Sequence, residues 1–209
     1  MTVLWYLCGI AAGYLLGCIN TAAILAGRKG FDIRARGSGN AGASNALVTM
    51  GKGAAVITAL TDIMKAFLPV FLLKHVIPLP EGCEALPIAV GAAVMLGHMF
   101  PFWMQFRGGK GYASLLGTVL AADWRFFLIC IAILALLLFT VRYIALATVT
   151  CAVLFPVWLL CVMHEPVSAA IAAVLAVIIV CKHIQNIRRI ANGTEIKFRD
   201  KAKKQEDAQ

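Results

Sequence analysis

The sequence predicts an all-α integral membrane protein, and three observations predict it. Mean hydropathy is +0.86, and 61% of the 209 residues are hydrophobic against 14% charged, too little polar surface to cover a soluble globule. Apolar runs follow one another with short interruptions, several of them near the roughly 20 residues that a helix needs to cross a bilayer core. All but Lys65, Lys74 and Arg125 of the 19 Lys and Arg residues fall in connections or a tail, or for Lys182 at the span end beside that tail, that alternate spans would place on one side, as the positive-inside bias requires.

Taken in order, the run 3–26 has no basic stretch before it, and Arg28 and Lys29 follow it. It reads as a retained first span with its N-terminus outside, not as a cleaved signal. The runs 53–73, 85–104, 143–163 and 167–185 are further full spans. The stretch 111–141 is too long for one helix and carries Asp123-Trp124-Arg125, so it divides into short helices at 111–122 and 126–141. Seven transmembrane helices, two of them short, place the C-terminus in the cytoplasm; a single helix there would send the basic tail outside. Five full spans with a re-entrant pair keep the same parity. Residues 1–196 form one bundle, and the charged segment 197–209 is expected to be a flexible cytoplasmic tail.

The net charge of +9 is explained by orientation and by anionic lipid headgroups, so no nucleic-acid partner is expected. Seven cysteines show no C-x-x-C spacing. They read as small apolar residues, with neither a disulfide framework nor a metal site.

Three segments carry chemistry. In G-S-G-N-A-G-A-S-N at 37–45, Gly37, Gly39 and Gly42 let backbone N–H groups approach an anion, Ser38 adds a hydroxyl, and Asn40 and Asn45 add amides. A plain turn needs fewer such residues, and a helix N-terminus follows at once. In G-H-M-F-P…R-G-G-K-G at 97–111, Gly108, Gly109, Lys110 and Gly111 open a helix, flanked by Arg107 and Ser114. Without the upstream glycine and strand of a Walker A sequence this is no NTPase P-loop, yet three glycines around one lysine suit a phosphate. His98 reads either as a packing residue or as a site residue, and Pro101 ends or kinks its helix. In H-I-Q-N-I-R-R…G-T-E at 183–195, His183 and Asn186 share a helix face, Arg188 and Arg189 read as interfacial anchors, and Gly193 stops the helix before Glu195. Asp62 and Lys65 lie one turn apart inside a span, where ionisable groups are costly. They read as a pair that lines or supports the site. His75 and His164 lie near the outer face and are given no chemical role.

In this order and on one side of the membrane, these segments resemble the acyl-phosphate:glycerol-3-phosphate acyltransferases of bacteria over nearly the whole chain. The family's G-S-G-N-x-G-A-T-N matches Gly37 to Asn45, its G-H-x-F/Y-P…G-G-K-G-V-A-T matches Gly97 to Ser114, and its H-x-x-N-I-x-R-L…G-x-E matches His183 to Glu195. An intramembrane D-x-x-K matches Asp62 and Lys65. R-Y-I-A-L-A-T at 142–148 is similar to R-Y-V-S-L-A-S, which adds Arg142 and Thr148 as supporting residues. The resemblance implies a multi-pass enzyme of the bacterial cell membrane that moves a fatty acyl group from acyl-phosphate to the 1-hydroxyl of sn-glycerol 3-phosphate. Its products would be lysophosphatidic acid and phosphate, the start of phospholipid synthesis. It further implies no metal or other cofactor and no direct use of acyl-CoA or acyl-carrier protein, and no obligatory protein partner is evident. The chain departs from the pattern at Val48, where T-N-x-x-R-x-L-G has arginine, and at Gly17-Cys18-Ile19-Asn20-Thr21-Ala22, where the family has G-S-I-P-F-G. Ala66 replaces a glycine and Ala145 a serine. A divergent paralogue with altered substrate choice is therefore a second expectation.

Both substrates carry phosphate, so the chemical problem is to gather two anions beside a hydroxyl aimed at an acyl carbonyl. Lys110 and Ser38 are expected to bind phosphate, and His183 with Asn186 to orient the glycerol phosphate. The remaining candidates around the substrates are Gly37, Gly39, Asn40, Gly42 and Asn45 of the first segment, His98, Arg107, Gly108, Gly109, Gly111 and Ser114 of the second, and Glu195. No histidine is followed five residues later by aspartate, which excludes an H-x-x-x-x-D base; the base is His183 or a phosphate oxygen of the donor. A transporter of organic phosphate would want an exit on the outer face and two related halves. That transporter, and a non-catalytic lipid-phosphate-binding relative, are the alternatives.

Overall fold

The computed structural model describes residues 1–195 and Lys197, and among them every regular element is helical. The α-helices are α1 (Thr2–Gly17), α2 (Thr21–Arg28), α3 (Ala43–Met50), α4 (Lys52–Phe71), α5 (Leu86–Met99), α6 (Tyr112–Ala122), α7 (Trp124–Thr140), α8 (Ile144–Cys161) and α9 (Pro166–Ala191). Five passages are long and apolar enough to cross a membrane: Thr2–Arg28, Lys52–Val76, Leu86–Met104, Ile144–Cys161 and Pro166–Ala191. The apolar α6 and α7 are shorter. Exposed Leu4, Leu60, Leu136, Phe139 and Val174 face outward, which suits lipid as solvent and would be costly in water. The tail expected at 197–209 lies, Lys197 apart, outside the described residues.

Three boundaries differ from the sequence reading. Residues 43–50, read as loop leading into the second span, form α3: extended Gly42 starts it, and Gly51 at φ 96° ends it one residue before α4. Trp124 and Arg125, read as an interruption, are the first turn of α7. Asp123 alone is extended there, and its Oδ1 accepts the Arg125 N–H at 2.8 Å, a side-chain cap that lets the helix begin at once. The last helix outruns the apolar span 167–185 and continues to Ala191, close to the stop expected at Gly193, because His183 and Asn186 stay buried against the bundle while Arg188 and Arg189 fall in its last turn, where cations complement the helix dipole. As expected, α5 ends just before Pro101, and Gly193 at φ 70° follows the end of α9.

Helix α5 is the axis of the bundle, with every residue but Leu96 buried. Small residues make this possible. A Cβ on Gly17 of α1 would run into the Val94 carbonyl, and one on Gly97 would run into the Tyr14 carbonyl, so α1 and α5 meet backbone to backbone, as small residues permit in membranes. Gly117 of α6 lies in the same way against the Ile63 carbonyl of α4. On the far side Phe126, Phe155, Leu159 and Ile179 join α7, α8 and α9 into the main apolar core.

Successive passages alternate, so the connections 29–51, 100–111 and 141–143 and the end of α9 gather at one end of the bundle. Thr2, Glu81, Lys74, Ala121 and Glu165 lie at the other. There Thr2 Oγ1 donates to Glu81 O (3.3 Å), Lys74 pairs with Glu165 (2.9 Å), and His75 Nε2 bonds Ala121 O (2.9 Å).

Candidate active site

A cavity of about 610 Å³ opens where those four connections meet. Of the expected site residues, Ser38, Asn40, Gly42, Asp62, His98, Lys110, Gly111, Arg142, Thr148, His183, Asn186 and Glu195 line it. Segments far apart in sequence are thus brought to one wall. Gly37, Gly39, Asn45, Lys65, Arg107, Gly108, Gly109 and Ser114 are not among the lining residues, and most of them have a structural task instead.

Asn45 scaffolds the first segment. Buried at the start of α3, it donates from Nδ2 to the Ile33 and Arg36 carbonyls (3.0 Å each) and accepts the Ser38 N–H at Oδ1 (2.9 Å). Both ends of its amide have partners within the loop, so the structure gives Asn45 a fold contact. Gly37 (φ 59°) and Gly39 (φ 71°) take left-handed turns around it. Arg34 forks onto Asp32 and donates to Met104 O at 2.7 Å, stapling this loop to the second segment. The guanidinium holds the Asp32 carboxyl below the usual carboxylate range.

In the second segment, Gly108 N–H donates to Met99 O (3.1 Å) and Gly109 N–H to His98 O (3.0 Å). These two donors close the end of α5, so they are not available to an anion as the sequence reading expected. The glycines are needed for contact: a Cβ on Gly109 would strike His98 Nε2. Ser114 is buried behind the wall, and Arg107 is exposed. Lys110 reaches across to Asn186 Oδ1, Asn186 Nδ2 donates to Glu195 Oε1 (2.7 Å), and Arg189 holds Glu195 Oε2 (2.7 Å). Helix α9 and the turn at Gly193 therefore deliver the third segment onto the second.

Below them sits a buried triad. Lys65 Nζ lies 2.7 Å from Asp62 Oδ1 and 3.0 Å from His98 Nδ1, and it donates to the Gly17 and Ile19 carbonyls (3.1 and 2.8 Å) where α1 gives way to α2. Nδ1 of His98 also faces Asp62 Oδ1 at 3.4 Å, so the imidazole is held between the ammonium and the carboxylate. Lys65 thus ties α4 to the break between α1 and α2, while Asp62 and His98 line the cavity.

The first turns of three helices line the cavity: Ala43 and Ser44 of α3, Tyr112 and Ala113 of α6, and Ile144 and Ala145 of α8. None has a side-chain cap, whereas α2 and α7 are capped by Asn20 and Asp123. Uncapped N–H groups and helix dipoles so gathered favour negative charge. Lys52, a lining residue, was not singled out from sequence. Lys52 follows Gly51 at the mouth of α4, and its place beside a glycine helix stop was the available signal. Arg142 holds a left-handed backbone (φ 66°) while its N–H closes α7 onto Leu137 O at 2.7 Å. Away from the polar groups the wall is apolar, with Leu47, Val56, Ile63, Leu116, Leu134 and Leu138.

The family model for glycerol-3-phosphate acyltransferase matches residues 7–193. The chain belongs to this family. Relatives named glycerol-3-phosphate acyltransferase include one from Geotalea daltonii, 36% identical over 91% of this chain and 96% of its own length. Another, from Thioalkalivibrio sulfidiphilus, is 39% identical over 93% and 94%. Among solved structures, the fold superposes with a TM-score of 0.82 on the glycerol 3-phosphate form of PlsY (YgiH), an integral membrane glycerol 3-phosphate acyltransferase. It is 33% identical over 92% of this chain and 94% of that one. The lysophosphatidic acid form gives 0.79 at 32% identity. The chain is thus a membrane protein of the acyltransferase family. Two of its sequence features are placed by the structure: Val48 is half-buried on α3 next to the lining residue Leu47, and Arg107 lies apart from the cavity wall.

Proposed function

We propose that this protein transfers a fatty acyl group from acyl-phosphate to the 1-hydroxyl of sn-glycerol 3-phosphate, at the cytoplasmic face of a bacterial cell membrane. One observation carries the reading: a single cavity joins anion donors, an oriented histidine and an apolar wall. Lys110 and Ser38, with the open N–H groups of α3 and α6, hold phosphate oxygens. The Leu116, Leu134 and Leu138 side takes the acyl chain. Asn186 and His183 orient the glycerol phosphate. Nδ1 of His183 bonds the Ile179 carbonyl (2.8 Å), and a carbonyl only accepts, so in the neutral ring Nε2 carries the lone pair. The acceptor hydroxyl oxygen attacks the acyl carbonyl carbon and its proton passes to Nε2; the bond from that carbon to the phosphate oxygen then breaks, and phosphate leaves with the electron pair. Holding both anions side by side supplies much of the rate. Arg142, Thr148, Asp62 and Lys65 support the walls. The basic connections at the cavity end support a cytoplasmic orientation of the site.

The deciding experiment gives the purified protein acyl-phosphate and glycerol 3-phosphate and follows lysophosphatidic acid and phosphate together. Equal release of both is expected. Absence of transfer, or transfer only from an acyl thioester, overturns the proposal.

A further inference from the structure

Asn20 lies at the break between α1 and α2, 1% exposed, with both ends of its amide in use. Oδ1 accepts the Ala23 N–H at 2.9 Å and so caps α2, an ordinary task. Nδ2 does something else: it donates to the Ala41 carbonyl at 3.0 Å, inside the first glycine segment, 21 residues away. The Ala41–Gly42 peptide is trans, since no cis bond occurs. In a trans peptide the C=O and the following N–H point in opposite directions. A carbonyl drawn toward Asn20 therefore turns the Gly42 N–H away from α2. Gly42 lines the cavity and is the residue that starts α3.

Resting on the reading that this segment binds phosphate, we infer that Asn20 is a positioning residue: by gripping Ala41 O it aims the Gly42 N–H, and with it the uncapped first turn of α3, at a phosphate oxygen. The break in the first span then has two functions. It ends α1 where Lys65 collects the freed Gly17 and Ile19 carbonyls, and it holds an anion donor in place from below. A proline would break the helix by sterics alone and offer no such donor.

Asn20→Ser keeps an N-cap oxygen but is too short to reach Ala41; Asn20→Asp keeps the shape and the cap but loses the donor. Both are compared with wild type by steady-state kinetics and by the shift of the thermal midpoint on titration with inorganic phosphate. Loss of one aimed hydrogen bond should raise the phosphate half-saturation and the KM of a phosphate-bearing substrate about threefold to tenfold, with a smaller change in kcat. If either folded variant binds inorganic phosphate as wild type does and keeps its KM, or loses only thermal stability, the inference is wrong. Should Asn20→Ser not fold, Asn20→Asp decides alone. A wild-type protein that binds phosphate but transfers no acyl group would overturn the proposed reaction and leave the phosphate titration to judge Asn20.

Discussion

His183 is hydrogen-bonded through Nδ1 to the carbonyl of Ile179, one turn back in α9, at 2.8 Å. Because the carbonyl can only accept, the bond selects the tautomer and leaves Nε2 as the group that can take a proton in the cavity. His183→Ala should lower kcat about a hundredfold or more, the range for a positioned general base, with KM for glycerol 3-phosphate changed far less. A loss of only a few fold in a folded variant would assign the proton to an oxygen of the leaving phosphate.

Lys110 bridges the second and third segments through Asn186. Lys110→Ala should raise the KM of a phosphate-bearing substrate about tenfold to a hundredfold, as expected for one charge-assisted hydrogen bond, and leave protein abundance little changed. Ser38→Ala should lose less, because the open N–H groups of α3 remain. Kinetics normalised to folded protein test both, and near-normal turnover in Lys110→Ala would remove it from the site.

Position 48 follows the lining residue Leu47 and lies four residues after the lining residue Ser44, so an arginine there starts from the helical face beside the cavity. Val48→Arg should lower the KM for glycerol 3-phosphate about tenfold, again the scale of one charge-assisted bond. Exposed Arg107 lies outside the lining, so Arg107→Ala should leave KM unchanged. An unchanged KM in Val48→Arg, across a panel of polyol phosphates, would show that position 48 does not bear on acceptor binding.

Asp123 caps α7 and also accepts from Arg125 and from Trp158 Nε1 (3.2 Å). The Arg125 guanidinium holds its carboxyl below the usual range. A depressed folded value means that the charged form contributes stability above the unfolded pKa of about 3.9, and that this contribution disappears as pH falls through the folded value. Asp123→Ala should cost about 1 to 2 kcal/mol near neutral pH, chiefly through the lost cap. Thermal melts in detergent of wild type and Asp123→Asn should differ near pH 7 and converge in strong acid; parallel curves would discount the charge.

Cysteines introduced singly at Lys29 and Glu81 in a cysteine-free background test the orientation. An impermeant thiol reagent added outside intact cells should label position 81 and spare position 29, and the reverse pattern would invert the bundle.

The spans, their order and the three polar segments were legible in the sequence by itself, because lipid forces apolar stretches into helices and charge bias orders the connections. Helical spacing was enough to put His183 beside Asn186 and Asp62 beside Lys65. Which members of a glycine-rich segment line the cavity was decided only by tertiary structure. Asn45 and Gly109 look like site residues in the sequence, yet one is used up holding Ile33, Arg36 and Ser38, and the other is glycine so that His98 can lie against it. Lys52 carries no such signal, yet it lines the cavity. A backbone N–H or a long side chain acquires its role from what packs against it. Those partners, Asn20 with Ala41 and Lys65 with His98 among them, come from segments whose separation along the chain leaves no local pattern to read.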